Sequence, residues 1–280
     1  MRRARPLLGT IVDIHVPDDT AAAGSAVEAA FSAIERVHRL MSAHDPLSDV
    51  FRINRSAPGC WIEVDPWTYE VLSRAKEVHE ATEGLFDCAV AHVLAGVGYL
   101  PGVAREVAED SFGSLADIEL HSSCGLRLRR RLEITLDGIA KGYAVDRAVS
   151  VLRSSGVAAG VVNAGGDLRV FGEEFEPIHV RHPASPEKLL ALGHVKDAAV
   201  ASSSACFSRI KLRGQSISPI VDPQTMRLCN PEFGATVVAG DCMTADALTK
   251  PLLIDPERAR TMVGRLGAKA ILVDSSGAIR

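Results

Sequence analysis

Two glycine turns in this chain carry groups suited to holding an anion. Residues 136–167 read LDGIAKGYAVDRAVSVLRSSGVAAGVVNAGGD. Asp137 and Gly138 precede Lys141 and Asp146 around a helix start, and Asn163, Gly165, Gly166 and Asp167 follow a short apolar run. Backbone N–H groups at a helix start attract anions and a lysine adds a point charge, which suits a phosphate. The stretch is not a Walker loop, since GxxxxGK(S/T) is absent, nor a dinucleotide fingerprint, since GxGxxG is absent. Without a ligand, the same residues make a glycine helix cap and a β-turn. Further on, residues 241–248 set acids near the first turn of a late helix. They either complement the helix dipole or hold a hard cation, which takes one or two carboxylates together with phosphate oxygens. Ile220-Val221-Asp222-Pro223 alone reads as a turn at a strand end. His179 and His182 sit three apart in a strand, on opposite faces, and make a poor metal pair.

The elements that must position these groups follow from periodicity. Leu7 to Val16 alternates like a strand, and Ala21 to Met41 carries one apolar helical stripe (Val27, Phe31, Ile34, Val37). A break at Ser42–Pro46 leads to a short turn or helix over Ser48–Asn54. Asp65 and Pro66 cap and open a helix that stops at Gly84. Leu126–Thr135 predicts a hairpin turning at Arg129–Arg131, and strands are expected over Asp167–Gly172, Pro177–Arg181, Val195–Ala201, Ala235–Ala239 and Ala270–Val273. Late helices are expected over Thr244–Leu253 and Arg258–Leu266. Strands outnumber helices and do not alternate with them, which predicts an α+β fold with mixed or antiparallel sheets rather than a doubly wound one. A single domain over 1–280 is expected, with any subdomain boundary near 96–123.

Composition narrows the partners. A net charge of −4 gives no basic footprint for nucleic acid. No stretch approaches the roughly 20 apolar residues that span a bilayer. Six scattered cysteines without CxxC read as reduced thiols, and with no signal-peptide core at the start this predicts a cytoplasmic protein.

Taken in order, the motifs resemble the FAD:protein FMN transferase (ApbE) family over nearly the whole chain. The resemblance is carried by Leu8-Gly9-Thr10, by Met41-Ser42 through Pro46, Ser48 and Asn54, and by Thr82-x-Gly84-x-Phe86-Asp87. It continues through Gly138-Ile139-Ala140-Lys141-Gly142-Tyr143-Ala144-Val145-Asp146 with Asn163-x-Gly165-Gly166-Asp167, then Ile220-x-Asp222-Pro223 and Thr244-Ala245-Asp246-Ala247-Leu248. It implies an α+β fold and Mg²⁺-dependent cleavage of the FAD pyrophosphate. FMN would pass to a threonine or serine hydroxyl of an acceptor protein, and AMP would leave.

By the same resemblance, Ser42, Asn54, Asp87, Lys141, Asn163, Gly165, Gly166, Asp167 and Asp222 would shape the flavin-nucleotide site. Asp246 and the backbone at Ala140 would hold the metal, with Lys141 and Asp246 the catalytic pair. The chain departs from the family at four places. Pro219 stands where a histidine is usual, Lys250 where a metal-binding threonine is usual, Ser202–Cys206 replaces T-S-G-D-Y, and His44 replaces an aromatic. An ammonium at 250 beside Asp246 would compete with Mg²⁺. The alternative expectation is therefore a FAD- or nucleotide-binding member without transferase activity, Lys250 taking the metal's place. A structural or interaction protein outside the family would require the ordered motifs to be chance.

Overall fold

The computed structural model describes residues 1–17, 23–100, 112–205, 209–212 and 215–280. Its frame is a seven-stranded antiparallel sheet built from β1 (Arg2–Leu7), β2 (Thr10–His15), β6 (Gly160–Ala164), β7 (Asp167–Phe171), β10 (Ala199–Ser204), β15 (Gly234–Ala239) and β16 (Lys269–Val273), neighbours in that order. The smaller sheets are a three-stranded one from β3 (Trp61–Glu63), β4 (Ile118–His121) and β5 (Gly125–Leu128), and the pairs β8 (Glu176–His182) with β9 (Ser185–Val195), β11 (Ile210–Leu212) with β12 (Gln215–Ile217), and β13 (Ile220–Asp222) with β14 (Arg227–Cys229). Every strand pair described is antiparallel. The helices are α1 (Ala23–Met41), α2 (Asp49–Arg55), α3 (Pro66–Ala81), α4 (Ala91–Gly96), α5 (Ala140–Ser154), α6 (Cys242–Ile254) and α7 (Pro256–Arg265).

Local sequence explains most of these elements. In α1 the buried side chains Val27, Ala30, Phe31, Ile34 and Val37 recur at helical spacing, and each large one contributes roughly 1.5–3 kcal/mol on leaving water. Helix α3 starts as expected, the Asp65 carboxylate accepting from the Trp67 N–H with Pro66 in the first turn, and it ends before Glu83 and Gly84, both at positive φ. Two hairpins set the sheet register. Ala164 pairs with Asp167 across Gly165 and Gly166, both at positive φ, as a type I′ turn requires. Leu7 pairs with Thr10 across Leu8 and Gly9 in the same geometry. The two turns lie side by side, because a Cβ on Gly165 would strike Thr10.

Two expectations are corrected and one strand was not anticipated. The Leu126–Thr135 hairpin is displaced: β5 ends at Leu128 and pairs with β4 across Ser122–Cys124, where Cys124 has positive φ. Arg127 and Arg129 instead reach the Glu119 carboxylate. The expected Val195–Ala201 strand is split by a turn at Lys196–Asp197, so its halves belong to different sheets. Strand β9 went unrecognised because most of its side chains are exposed and no alternation marks it. The expected boundary at 96–123 falls partly on 101–111, and Cys206 and residues 21–22 also lie outside the described residues.

Helix α6 lies against β10 and β15 and crosses α5. It is buried on nearly every side, from Cys242 through Leu253. Its approach to α5 is set by Gly142, where a Cβ would collide with the Cys242 carbonyl. A glycine inside a helix costs about 0.5–1 kcal/mol against alanine, and here it is the contact surface between two helices.

Candidate functional site

Asp246 lies within α6 and is fully buried, so its charge must be met by partners. Three groups meet it. Lys250, one turn on, places Nζ 2.5 Å from Oδ1. The Gly142 N–H, at the start of α5, donates to Oδ2 at 3.1 Å, and Lys141 Nζ lies 3.6 Å from the same oxygen. Thr249 Oγ1 and Lys250 Nζ both donate to the Asp246 carbonyl, at 2.7 and 3.1 Å. Residues 246, 249 and 250 share a helix face through their i, i+3, i+4 spacing. From the sheet, Ser203 Oγ on β10 lies 2.9 Å from Thr249 Oγ1 and accepts from Lys250 Nζ at 3.5 Å.

Asp167 supplies the second carboxylate. The Gly165–Gly166 turn starts β7 at this residue, and its Oδ2 accepts from Lys141 Nζ at 2.6 Å. Lys141 thereby bridges two buried carboxylates. Burial alone would lower its pKa, but the charges of Asp167 and Asp246 outweigh that and hold the ammonium above the ordinary lysine value. Burial also acts to raise Asp246, and is overcome by Lys141, Lys250 and the Gly142 N–H, which hold it below the usual carboxylate range. For Asp167, burial and the neighbouring Asp246 charge dominate and push it up despite Lys141.

The cluster has a direction. The carboxylates of Asp167 and Asp246 are 3% and 0% exposed, whereas the side chains of Lys141 and Lys250 are 30% and 24% exposed. Each ammonium is directed at a buried carboxylate, Lys141 at Asp167 and Asp246 and Lys250 at Asp246, and the cluster adjoins the surface through the partly exposed lysine side chains. An anion approaching the lysines from the surface would meet cations whose carboxylates stay paired.

The other expected site residues play parts visible in the hydrogen bonding. Asn54 brackets the backbone of Ile134, donating to its carbonyl at 2.9 Å and accepting from its N–H at 2.7 Å. Asp87 accepts from the Ala89 and Leu115 N–H groups and lies 3.3 Å from His79 Nδ1. Ser42 accepts from the His44 N–H through its hydroxyl and from Ser48 through its carbonyl. Asp222 closes the turn between β13 and β14 by accepting from the Gln224 N–H and Thr225 hydroxyl. Asn163 accepts from the Gly166 N–H at 2.9 Å and holds the glycine turn. Ala140 is the first residue of α5. Asp146 fixes the crossing of the two helices: it accepts from the Cys242 and Met243 N–H groups at the start of α6 and from Arg169.

Sequence reasoning did not single out Thr249 as a polar partner or Gly142 as the close approach. The signal for Thr249 was its i+3 spacing from Asp246; for Gly142 it was a glycine inside a strongly periodic helix. Two concavities, about 460 and 340 Å³, are lined by neither lysine nor either carboxylate of the cluster. Their arginines pair with surface acids, Arg153 with Asp197 and Arg74 with Glu77, so the ionic cluster marks the candidate site.

The donors around Asp246 do not fit a divalent cation as they stand. Both carboxylate oxygens already accept N–H donors, and the Lys250 ammonium sits among the carboxylate, the Asp246 carbonyl and the Ser203 hydroxyl. No group of three or more His, Cys, Asp or Glu among the described residues could hold a metal ion.

With this geometry in place, comparison with known proteins gives the family: the ApbE family model matches residues 8–272, and the chain belongs to that family. The chain is similar to the FAD:protein FMN transferase of Vibrio cholerae, 27% identical over 238 residues that cover 79% of this chain and 70% of that protein. It is also similar to the transferase of Rhodobacter capsulatus, 24% identical over 283 residues, 95% of this chain and 54% of that protein. The fold matches the crystal structure of the ApbE protein from Thermotoga maritima with a TM-score of 0.87 at 27% identity, covering 100% of this chain and 96% of that one. It matches the Vibrio cholerae flavin transferase ApbE at 0.84 and 22%, covering 100% and 95%.

Proposed function

We propose that this chain, acting as one domain over 1–280, transfers FMN from FAD to a threonine or serine hydroxyl of an acceptor protein. The acceptor oxygen bonds to the FMN phosphorus, the P–O bond from that phosphorus to the bridging oxygen breaks, the hydroxyl proton passes to water, and AMP leaves with the bridging oxygen. Family membership and relatives named for this activity support the reading. The observation that carries it in this chain is the pair of partly exposed lysines, Lys141 and Lys250, held on buried Asp167 and Asp246. Fixed cations beside a diphosphate offset the charge that builds on the leaving phosphate. Asp167 and Asp246 keep the lysines charged and in place. The glycine turn at Gly165–Gly166 with Asn163 sets Asp167. Asn54, Asp87, Ser42 and Asp222 shape the surrounding walls.

No step here runs through magnesium, because the donors at Asp246 are already committed. A cytoplasmic setting belongs to the same reading; among the described residues five cysteines are free and no helix is long and apolar enough to cross a membrane. The second reading, flavin-nucleotide binding without transfer, is favoured by one observation, the Lys250–Asp246 pair in the place expected for a metal. Incubation with FAD and a flavin-acceptor protein, with AMP release and covalent flavin as readouts, separates them. FAD binding without either product, in EDTA and in excess Mg²⁺, would leave the second.

A further inference from the structure

We propose that Lys250 is this chain's built-in cation: its ammonium holds the place a divalent ion would take, so that a flavin-nucleotide diphosphate is bound without metal, and its removal opens a divalent-cation site. The diphosphate half of this rests on the reading above; the cation half rests on geometry alone. Three oxygens of different chemistry converge on Lys250 Nζ: the Asp246 carboxylate at 2.5 Å, the Asp246 carbonyl at 3.1 Å and the Ser203 hydroxyl at 3.5 Å. Carboxylate, carbonyl and hydroxyl oxygens together are the donors hard cations select. Thr249 Oγ1 adds a fourth oxygen, 2.7 Å from the same carbonyl and 2.9 Å from Ser203 Oγ.

The stem of Lys250 is seated as firmly as its head. It runs over Gly138, where a Cβ would stand 3.3 Å from Cε, 3.7 Å from Cγ and 3.8 Å from Cδ. Glycine at 138 leaves the room the lysine stem fills, and the preceding Asp137 is exposed. The ammonium is thus tethered at i+4 to the carboxylate it neutralises and cannot diffuse away. A divalent ion entering here would meet a fixed like charge and a carboxylate already paired. The Asp246 carboxylate then needs no cation from solution.

The test uses the full chain, freed of metal, with Mn²⁺ as the probe. Wild type is expected to show no specific Mn²⁺ site by electron paramagnetic resonance or calorimetry. K250T is expected to bind one Mn²⁺ at least about tenfold more tightly than wild type, and the double variant K250T/D246N to lose that gain. K250Q, which keeps length and removes charge, serves as the second variant should K250T fold poorly. With FAD as ligand, wild-type affinity should be unchanged between EDTA and excess Mg²⁺, whereas K250T should weaken in EDTA by at least about tenfold and recover with Mg²⁺.

Mn²⁺ binding by wild type as tight as by K250T, or no gain in either variant, overturns the cation half. Wild-type FAD binding that requires Mg²⁺ overturns the diphosphate half. A wild type that binds no FAD under either condition refutes the flavin reading itself and the diphosphate half with it, while the Mn²⁺ titration still decides the other.

Discussion

Replacing Gly142 by alanine separates two opposite expectations. Helix propensity alone predicts that G142A stabilises the protein by about 1 kcal/mol, since glycine is a poor helix former. The structure predicts the reverse. An added Cβ would collide with the Cys242 carbonyl and lie 2.8 Å from Met243 Cα, all of it backbone that cannot rotate away. Helix α6 must shift from α5. Overpacking of this kind costs about 1–3 kcal/mol. The shift also breaks the Gly142 N–H bond to the Asp246 carboxylate, a buried bond to a charged acceptor worth about 1.5–3 kcal/mol. With the propensity gain set against them, the net loss is about 2–5 kcal/mol. Urea unfolding followed by circular dichroism reads this as a lower midpoint. G264A is the control: Gly264 is exposed in α7 with nothing within 4 Å of its Cβ position, and its replacement should gain up to about 1 kcal/mol. A G142A protein as stable as wild type would refute the tight crossing of the two helices, and with it the account of how Asp246 is held.

The remaining predictions concern the same frame. N54A, measured without flavin, should lose about 1–3 kcal/mol by leaving the Ile134 backbone groups unpaired; unchanged stability with weakened flavin affinity would instead make Asn54 a ligand contact. D146A should lose about 3–5 kcal/mol in urea unfolding, because it strands Arg169 and two N–H groups at the start of α6. As pH falls, carbon-detected NMR of the side-chain carboxyls should show Asp167 taking its proton before Asp246, since the first is raised and the second lowered. Asp246, being depressed, contributes stability that is fully present above its unfolded value of about 3.9 and is lost as pH falls through its folded value. Asp167, being raised, acts in the opposite sense: its protonation relieves an unfavourable buried charge. The reverse order of titration would show that Lys141 belongs chiefly to Asp167.

Much of the frame was legible in the sequence because it is local. The α1 stripe, the Asp65–Pro66 start of α3 and the Gly165–Gly166 turn each follow from spacing or backbone freedom within a few residues. The ordered motifs also disclosed the family, and the i, i+4 spacing of Asp246 and Lys250 already allowed an ion pair. What the sequence could not rank was competition between distant partners. The arginines at 127 and 129 were expected around a turn, yet Glu119 across the sheet drew both and the turn formed at Ser122–Cys124. Asn54 and Asp87 have the side chains of ligand-binding residues, and only their long-range backbone partners show them bracing the chain. The convergence of partly exposed lysines on buried carboxylates is likewise a tertiary result. Residues 141, 167, 203, 246 and 250 come from two helices and two strands. Which of these charges meet depends on the crossing of α5 and α6, fixed by the missing side chain at Gly142.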